Sequence, residues 1–241
     1  MILEIDAGNT RTKWRIRDHQ RIVARGGQDT DTVSKNFEAE LDPGMNLTEA
    51  RLCCVTDPLV RNSLIDQLGN RFGIQTKIAK VSSRAGQVVN GYKDFKNLGV
   101  DRWLAIVAAY QRIAGAVVVV DAGTAITIDL VGCDGIHQGG YIVPGLAMMR
   151  NALTHGTSGI KLGPLEQTDG NIGPLDTYDA VSQGCLLSAI ALVEYFRKDI
   201  DSTLVLTGGD AQLIHAHLNV ECICVQDLVL EGLSVTGITL A

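Results

Sequence analysis

The sequence predicts an α/β fold built twice, as two lobes that are each a mixed five-stranded sheet flanked by helices. Three observations predict it. Residues 117–130 read VVVVDAGTAITIDL: four valines run into an Asp-Ala-Gly-Thr turn, and apolar and polar residues then alternate. A valine run with no polar face is a fully buried strand, and the alternation after it is a half-buried one, so the stretch is a hairpin. The chain opens with the same device, because Met1–Ile5 is apolar apart from Glu4, Asp6-Ala7-Gly8-Asn9-Thr10 turns, and Thr12, Trp14 and Ile16 alternate with charged residues. After each hairpin the order also repeats, with a third strand and then alternating helices and strands. A repeated order indicates internal duplication, so the expected division is 1–115 and 116–241, with a cleft between the lobes.

In the first half, strands are expected at 2–6, 11–17 and about 20–25, then a helix from Thr32 to Leu41 and a strand at 51–55. Asp57-Pro58 opens a helix, since proline suits the first helical turn, and Gly69 to Gly73 closes it near Phe72. A strand follows at 76–81, and 86–98 is irregular, with Tyr92 and Phe95 among polar residues. Leu104, Val107, Ala108 and Ile113 keep helical spacing across 103–113, and Gly115 ends that helix.

In the second half, strands at 117–121 and 125–131 are followed by a turn at Cys133-Asp134-Gly135 and a strand near 136–143. A helix at 146–153 and a Gly/Pro-rich loop at 156–174 come next, then a long apolar-centred helix from Thr177 to Phe196. A strand at 204–206 ends at Thr207-Gly208-Gly209-Asp210, and a helix, a strand at 220–225 and a C-terminal helix at 227–238 complete the chain.

Composition narrows the function. The formal net charge is −6 and no Lys/Arg cluster occurs, which argues against a nucleic-acid partner. No apolar run approaches the roughly 20 residues a membrane helix needs. The N-terminus reads as a strand, not a signal peptide, so the expectation is a cytoplasmic protein without membrane attachment. None of the six cysteines has CxxC spacing. Cys222 and Cys224 lie on one face of an expected strand and read as small buried thiols rather than metal ligands. His215-Ala216-His217 falls in a helical stretch, where positions i and i+2 diverge.

The chemistry sits at the two turns. Glycine lets backbone amides approach an anion with no Cβ in the way, and a threonine adds a donor. A carboxylate there would repel phosphate, so it makes sense only with a cation or polarised water between them. Several residues also carry ordinary readings. Asp101-Arg102 reads as a helix-capping acid with a solvated arginine, Thr177 as an N-cap, and Tyr92 as a surface tyrosine. Gly208-Gly209 reads as a strand-to-helix turn, Lys13 as a solvated charge and Trp103 as packing.

Five elements occur together: Asp6-x-Gly8-Asn9-Thr10, Gly99-x-Asp101-Arg102, Asp121-x-Gly123-Thr124, Gly139-Gly140-x-Ile142-x-Pro144-Gly145 and Thr207-Gly208-Gly209. In order and spacing, over essentially the whole chain, they resemble the type III pantothenate kinases of the actin and sugar-kinase superfamily. The resemblance implies ribonuclease-H-like (actin-like ATPase) lobes. It also implies ATP-dependent phosphorylation of pantothenate to 4'-phosphopantothenate, the first step to coenzyme A. By the same resemblance, Asp6, Ala7, Gly8, Asn9, Thr10, Arg11, Thr12, Lys13, Gly123, Thr124, Gly208 and Gly209 would hold ATP. Tyr92, Gly99, Val100, Asp101, Arg102 and Thr177 would hold pantothenate, with Asp101 as general base and Arg102 on the substrate carboxylate. Asp121 matches a monovalent-cation site for potassium or ammonium, and Asp6 would meet Mg²⁺ through water. The family's homodimers share the substrate pocket, Thr177 coming from the partner subunit. Two other readings stay open: another small-molecule kinase of the superfamily, and a non-catalytic ATP-binding regulator.

Overall fold

The computed structural model describes residues 1–157, 174–198 and 201–241. The expected loop at 156–174 therefore lies almost wholly outside the described residues. Elements run in the order β1 (Ile2–Ala7), β2 (Arg11–Asp18), β3 (Arg21–Asp29), α1 (Thr30–Asn36), β4 (Glu49–Cys54), α2 (Pro58–Phe72), β5 (Thr76–Lys80), β6 (Arg84–Ala85), β7 (Val88–Val89) and α3 (Val100–Ile113). There follow β8 (Val117–Ala122), β9 (Ala125–Val131), β10 (His137–Pro144), α4 (Leu146–Gly156), α5 (Thr177–Lys198), β11 (Thr203–Thr207), α6 (Ala211–His215), β12 (Ile223–Cys224), α7 (Leu228–Gly232) and β13 (Thr239–Leu240).

The sheets show the duplication strand for strand. One has the order β13-β5-β4-β1-β2-β3 and the other β12-β11-β8-β9-β10, so without β13 the two orders correspond. In both, the first strand of the half is central and pairs in parallel with the fourth, β1 with β4 and β8 with β11. The residues opposite the two turn acids are therefore equivalent: Cys53 faces Asp6, and Thr207 faces Asp121.

Contacts along the chain define two compact units. The first comprises Met1–Ala114, Val131–Gln138 and Asp227–Ala241, and the second Gly115–Leu130 and Gly139–Gln226. The first core is built from Leu3, Ile5, Trp14, Phe37, Leu52, Leu64 and Leu68, and the second from Val118, Val120, Ile126, Ile128, Val193, Leu204 and Leu206. In both, the central strand supplies the apolar middle, unbroken in the valines of β8 and interrupted in β1 by the buried Glu4.

The C-terminal segment departs from the expected single helix at 227–238. Helix α7 stops at Gly232, and Thr239–Leu240 pair antiparallel with Lys80 and Ala79 as a sixth strand. Thr236, Gly237 and Ile238 are poor helix formers, and the open edge of β5 offers backbone partners instead. A buried charge network also ties this segment to the first unit. Glu4, fully buried on β1, takes Arg15 Nε at 2.6 Å and Arg17 Nη2 at 3.2 Å. Arg15 reaches on to the Leu230 carbonyl at 2.9 Å, and the Ser234 hydroxyl donates to Glu4. Breaking such a buried pair from one side typically costs about 3–5 kcal/mol, since the other charge is left uncompensated.

Three smaller differences follow from packing. Helix α1 is short and gives way at Phe37 to a 3₁₀ turn over Phe37–Glu40, with the Phe37 ring fully buried. Strand β3 runs to Asp29, past the expected end near 25, because its whole length ladders onto β2. The strand expected at 220–225 is reduced to Ile223–Cys224, the only residues of that stretch laddered to β11. Among the described residues, no helix is long and apolar enough to cross a membrane.

Candidate active site

In the first unit the tip between β1 and β2 is shaped by its backbone and locked by two threonines. Asp6 and Lys13 are register partners at the base of the hairpin, as are Ala7 and Thr12. The Gly8 amide donates to the Arg11 carbonyl at 3.2 Å. Thr30, the first residue of α1, donates its hydroxyl to the Gly8 carbonyl at 2.8 Å and its amide to the Thr10 carbonyl at 3.0 Å. Its hydroxyl also lies 3.1 Å from that of Thr12. Thr12 is fully buried, so its hydroxyl braces the tip from beneath, while Asn9, Thr10 and Arg11 are exposed. The Arg11 guanidinium donates to the Gly27 carbonyl at 3.3 Å, and Lys13 is half-buried.

Beside this tip stands the start of α3. Gly99 is its N-cap and Val100 its first residue, and both are half-buried. Asp101 is half-buried, and its carboxylate accepts from the Arg102 amide at 2.8 Å, an acid oriented by the first helical turn. Cys53 joins Asp101 to the tip. Burial pushes the Cys53 thiol well above its ordinary range, and the Asp6 and Asp101 carboxylates both push it the same way. The thiol also hydrogen-bonds Asp6, its neighbour across the β1–β4 ladder. Both acids of the first unit therefore act on one buried thiol.

Arg102 is not the solvated cation of the ordinary reading. It is buried, donates to the Tyr92 hydroxyl at 2.9 Å, and holds its guanidinium carbon 5.7 Å from the centre of the Tyr92 ring. Tyr92 stacks in turn on His137, with ring centroids 5.7 Å apart at 15°. Sequence reasoning missed His137. Gly91 carries a trace of the contact, since a Cβ there would lie 1.6 Å from the His137 carbonyl oxygen. Asn90 fixes the loop by accepting from the Tyr92 amide at 3.0 Å. Trp103 is fully buried packing.

In the second unit the equivalent tip is held by backbone. Between β8 and β9 only Gly123 and Thr124 remain, and the Gly123 amide donates to the Ala125 carbonyl at 3.0 Å. The Gly145 amide, at the N-cap of α4, donates to the Thr124 carbonyl at 3.0 Å, and the Asp210 amide donates to the Ala122 carbonyl at 2.9 Å. Gly208 passes closest, with φ of +98°, and a Cβ there would lie 2.3 Å from the Ala122 oxygen and 2.5 Å from Asp121 Oδ1. Only glycine fits that turn. Asp121 is half-buried, Thr124 and Gly209 are exposed, and burial raises the Asp210 carboxyl. A half-buried carboxylate against bare backbone is a donor set suited to a hard cation. Thr177, expected as an N-cap, is the exposed first residue of α5; the cap is Asp176, whose carboxylate accepts from the Asp179 amide at 2.8 Å.

A family model described as type III pantothenate kinase matches residues 2–199. A curated relative of that name from Pseudomonas paraeruginosa is 37% identical over 245 residues, covering 97% of this chain and 98% of its own. Another, from Ectopseudomonas mendocina, is 35% identical over 253 residues, covering 98% of each. A solved structure from Campylobacter jejuni, described as a candidate Baf family transcriptional activator, is similar with a TM-score of 0.62 at 24% identity, covering 96% of this chain and 95% of its own. A candidate 2-dehydro-3-deoxygalactonokinase from Sinorhizobium meliloti gives 0.54 at 14%, with 97% of each covered. At these identities the two structures show the fold alone.

Proposed function

The chain belongs to the type III pantothenate kinase family, and from that premise we propose that it phosphorylates pantothenate with ATP, using Asp101 as the general base. What supports this most is that the Asp6 and Asp101 carboxylates both raise the buried Cys53 thiol, so both act on the same thiol of β4. This sets a phosphate-type turn and a helix-oriented acid side by side in one unit.

Phosphoryl transfer asks a protein for positioning and charge stabilisation more than for covalent chemistry. In the proposed step the primary hydroxyl oxygen attacks the γ-phosphorus, the bond from that phosphorus to the β–γ bridging oxygen breaks, and ADP leaves with that oxygen. The hydroxyl proton passes to Asp101. The Gly8 to Thr10 turn would take phosphate oxygens on its amides and on the Asn9 and Thr10 side chains. Arg102, already aimed by Tyr92, would pair with the pantothenate carboxylate, for which its planar fork is suited. Val100 and Gly99 would form the wall behind it.

The residues fit the cations the family resemblance implies. Asp6 would hold Mg²⁺ through water, and Asp121, against the bare backbone of Gly208, would hold potassium or ammonium. Such ions neutralise charge on the transferred phosphoryl group. Gly123, Thr124, Gly208 and Gly209 would line the nucleotide side. A homodimer is supported by apolar surface on the second unit: Tyr141, Ile142, Met148, Leu153, Leu187 and Tyr195 are all exposed. Thr177 would then serve the partner's substrate. Six free cysteines suit a reducing cytoplasm.

The test is turnover of pantothenate and ATP to phosphopantothenate and ADP by the purified protein with Mg²⁺ and potassium. Asp101→Asn should lower turnover by about 10²–10⁴-fold with the fold intact by circular dichroism. Near-normal turnover in D101N overturns the base assignment, and no product from pantothenate alongside product from another alcohol overturns the substrate.

A further inference from the structure

We propose that His215, Cys222 and Cys224 form a binding site for a soft or borderline d¹⁰ metal ion, Zn²⁺ above all, in the second unit and apart from the kinase chemistry. The helix that carries His215, α6, ends at that residue. The Leu218 amide donates to the His215 carbonyl at 3.3 Å and the Asn219 amide to Glu194 Oε1 at 3.2 Å, and the chain returns into β12. This return lays the end of α6 beside the edge strand of the sheet. Along that strand Cys222 and Cys224 are half-buried while Ile223 between them is exposed, so both thiols share one face. His215 Nδ1 lies 3.0 Å from Cys222 Sγ. The three ligand atoms all lie within 4.8 Å of one another.

The distances suit a tetrahedral ion. With Zn–S near 2.3 Å and Zn–N near 2.05 Å, tetrahedral angles place two sulfurs about 3.8 Å apart and sulfur and nitrogen about 3.6 Å apart. The hydrogen bond between His215 and Cys222 is shorter than that by about half an ångström, so an ion replacing the shared proton needs only a small outward movement. An ion that binds here displaces the thiol protons of its cysteine ligands. Leu213, Leu218 and Val220 pack against the same core as the two cysteines and keep water from the inner side. His215 is exposed, which leaves the fourth position open to water. His217 lies outside the group of three whose ligand atoms converge. Two thiols and one imidazole select Zn²⁺ or a softer ion over Mg²⁺ and potassium, so the site does not compete for the ions of the kinase reaction.

The experiment uses the full chain, stripped with a chelator and kept reduced, titrated with Zn²⁺ against a chromophoric chelator and separately with Co²⁺. The expected result is one equivalent of Zn²⁺ per chain and, with Co²⁺, the near-ultraviolet charge-transfer band of thiolate ligation. Cys222→Ser and Cys224→Ser should each weaken Zn²⁺ by more than the roughly 10–100-fold that loss of an outer-shell partner costs, and should remove the Co²⁺ band. His215→Ala should weaken Zn²⁺ while keeping a weaker band, and His217→Ala and Cys133→Ser should match the parent. Binding no tighter than in C222S, or a band that survives C222S and C224S, overturns the site. Should a serine variant fail to fold, H215A decides alone, because His215 is exposed: parental Zn²⁺ affinity in H215A overturns the site.

Discussion

The two turns are built from the same letters and supported in different ways. Asp6-Ala7-Gly8 and Asp121-Ala122-Gly123 end equivalent central strands, yet the first adds the Thr30 hydroxyl to its backbone bonds, while Gly208 brings backbone close against the second. Opposite Asp6 stands Cys53, followed by Cys54; opposite Asp121 stands Thr207, followed by Gly208. In the first unit a buried thiol faces the acid across the ladder. In the second, Gly208 brings bare backbone against the acid. Duplication supplied the frame, and the residue next to the one facing each turn acid, Cys54 in one unit and Gly208 in the other, differs between the two.

The largest expected effect that separates the two turns is on cation dependence. With Asp121 as the proposed potassium ligand, D121N should lower turnover by on the order of 10²-fold and erase the advantage of potassium over sodium. D6N should retain that advantage at whatever rate remains. A D121N enzyme still faster in potassium than in sodium would break the asymmetry.

Next comes the glycine itself. Gly208→Ala forces a side chain into φ of +98° and against the Ala122 oxygen. It should cost about 1–3 kcal/mol in thermal unfolding and raise the KM for ATP. Cys54→Ala, at the equivalent place of the first unit, should cost under about 1 kcal/mol and leave that KM unchanged. Equal effects would mean that the two turns are supported alike.

Thr12→Val sharpens the comparison from the other side. It removes the buried hydroxyl contact with Thr30, while Thr30 keeps its bond to Gly8, so about 1 kcal/mol of stability should be lost by urea unfolding. The smallest effect concerns Glu49 of β4, whose equivalent in the second unit is Thr203. Burial pulls the Glu49 carboxyl up, but Lys77 and Arg51 outweigh it and hold the carboxyl below its ordinary 4.5. Its stabilisation is therefore present above pH 4.5 and lost as pH falls through the lowered folded value. Because the pair is partly solvated, E49Q should cost less than about 1 kcal/mol at neutral pH, and that cost should shrink as pH falls through the lowered folded value.

Much of this was legible in the chain. The valine run, the Asp-Ala-Gly turns and the Asp57-Pro58 helix start are encoded by neighbours within a few residues, whereas α3 starts at Val100, three residues before the helix expected at 103–113. Their physics is local: β-branched strands, glycine turns and first-turn proline. Asp101 and Arg102 were singled out by the resemblance to the type III pantothenate kinases, since local physics alone read them as a helix-capping acid and a solvated arginine. The burial of Arg102 against Tyr92 was not legible, nor was the stacking of Tyr92 on His137, because the partners lie 10 and 45 residues away and no spacing rule joins them. The alternation of Thr12, Trp14 and Ile16 with charged residues put Thr12 on the inner face of its strand, and the position of α1 supplies its hydroxyl partner, Thr30.

By itself, the sequence determined the two repeated hairpins, the order of helices and strands, and the acid at the head of α3, since each depends on local backbone preference and the period of apolar residues. Tertiary structure decided where distant segments met. It returned residues 227–241 to the first unit through Glu4 and Arg15, brought Asp6 and Asp101 to act on Cys53, and turned His215 toward Cys222 and Cys224. These meetings depend on which buried charge, sheet edge or thiol remains to be satisfied once the strands have paired, and that is a property of the packed chain rather than of any stretch of it.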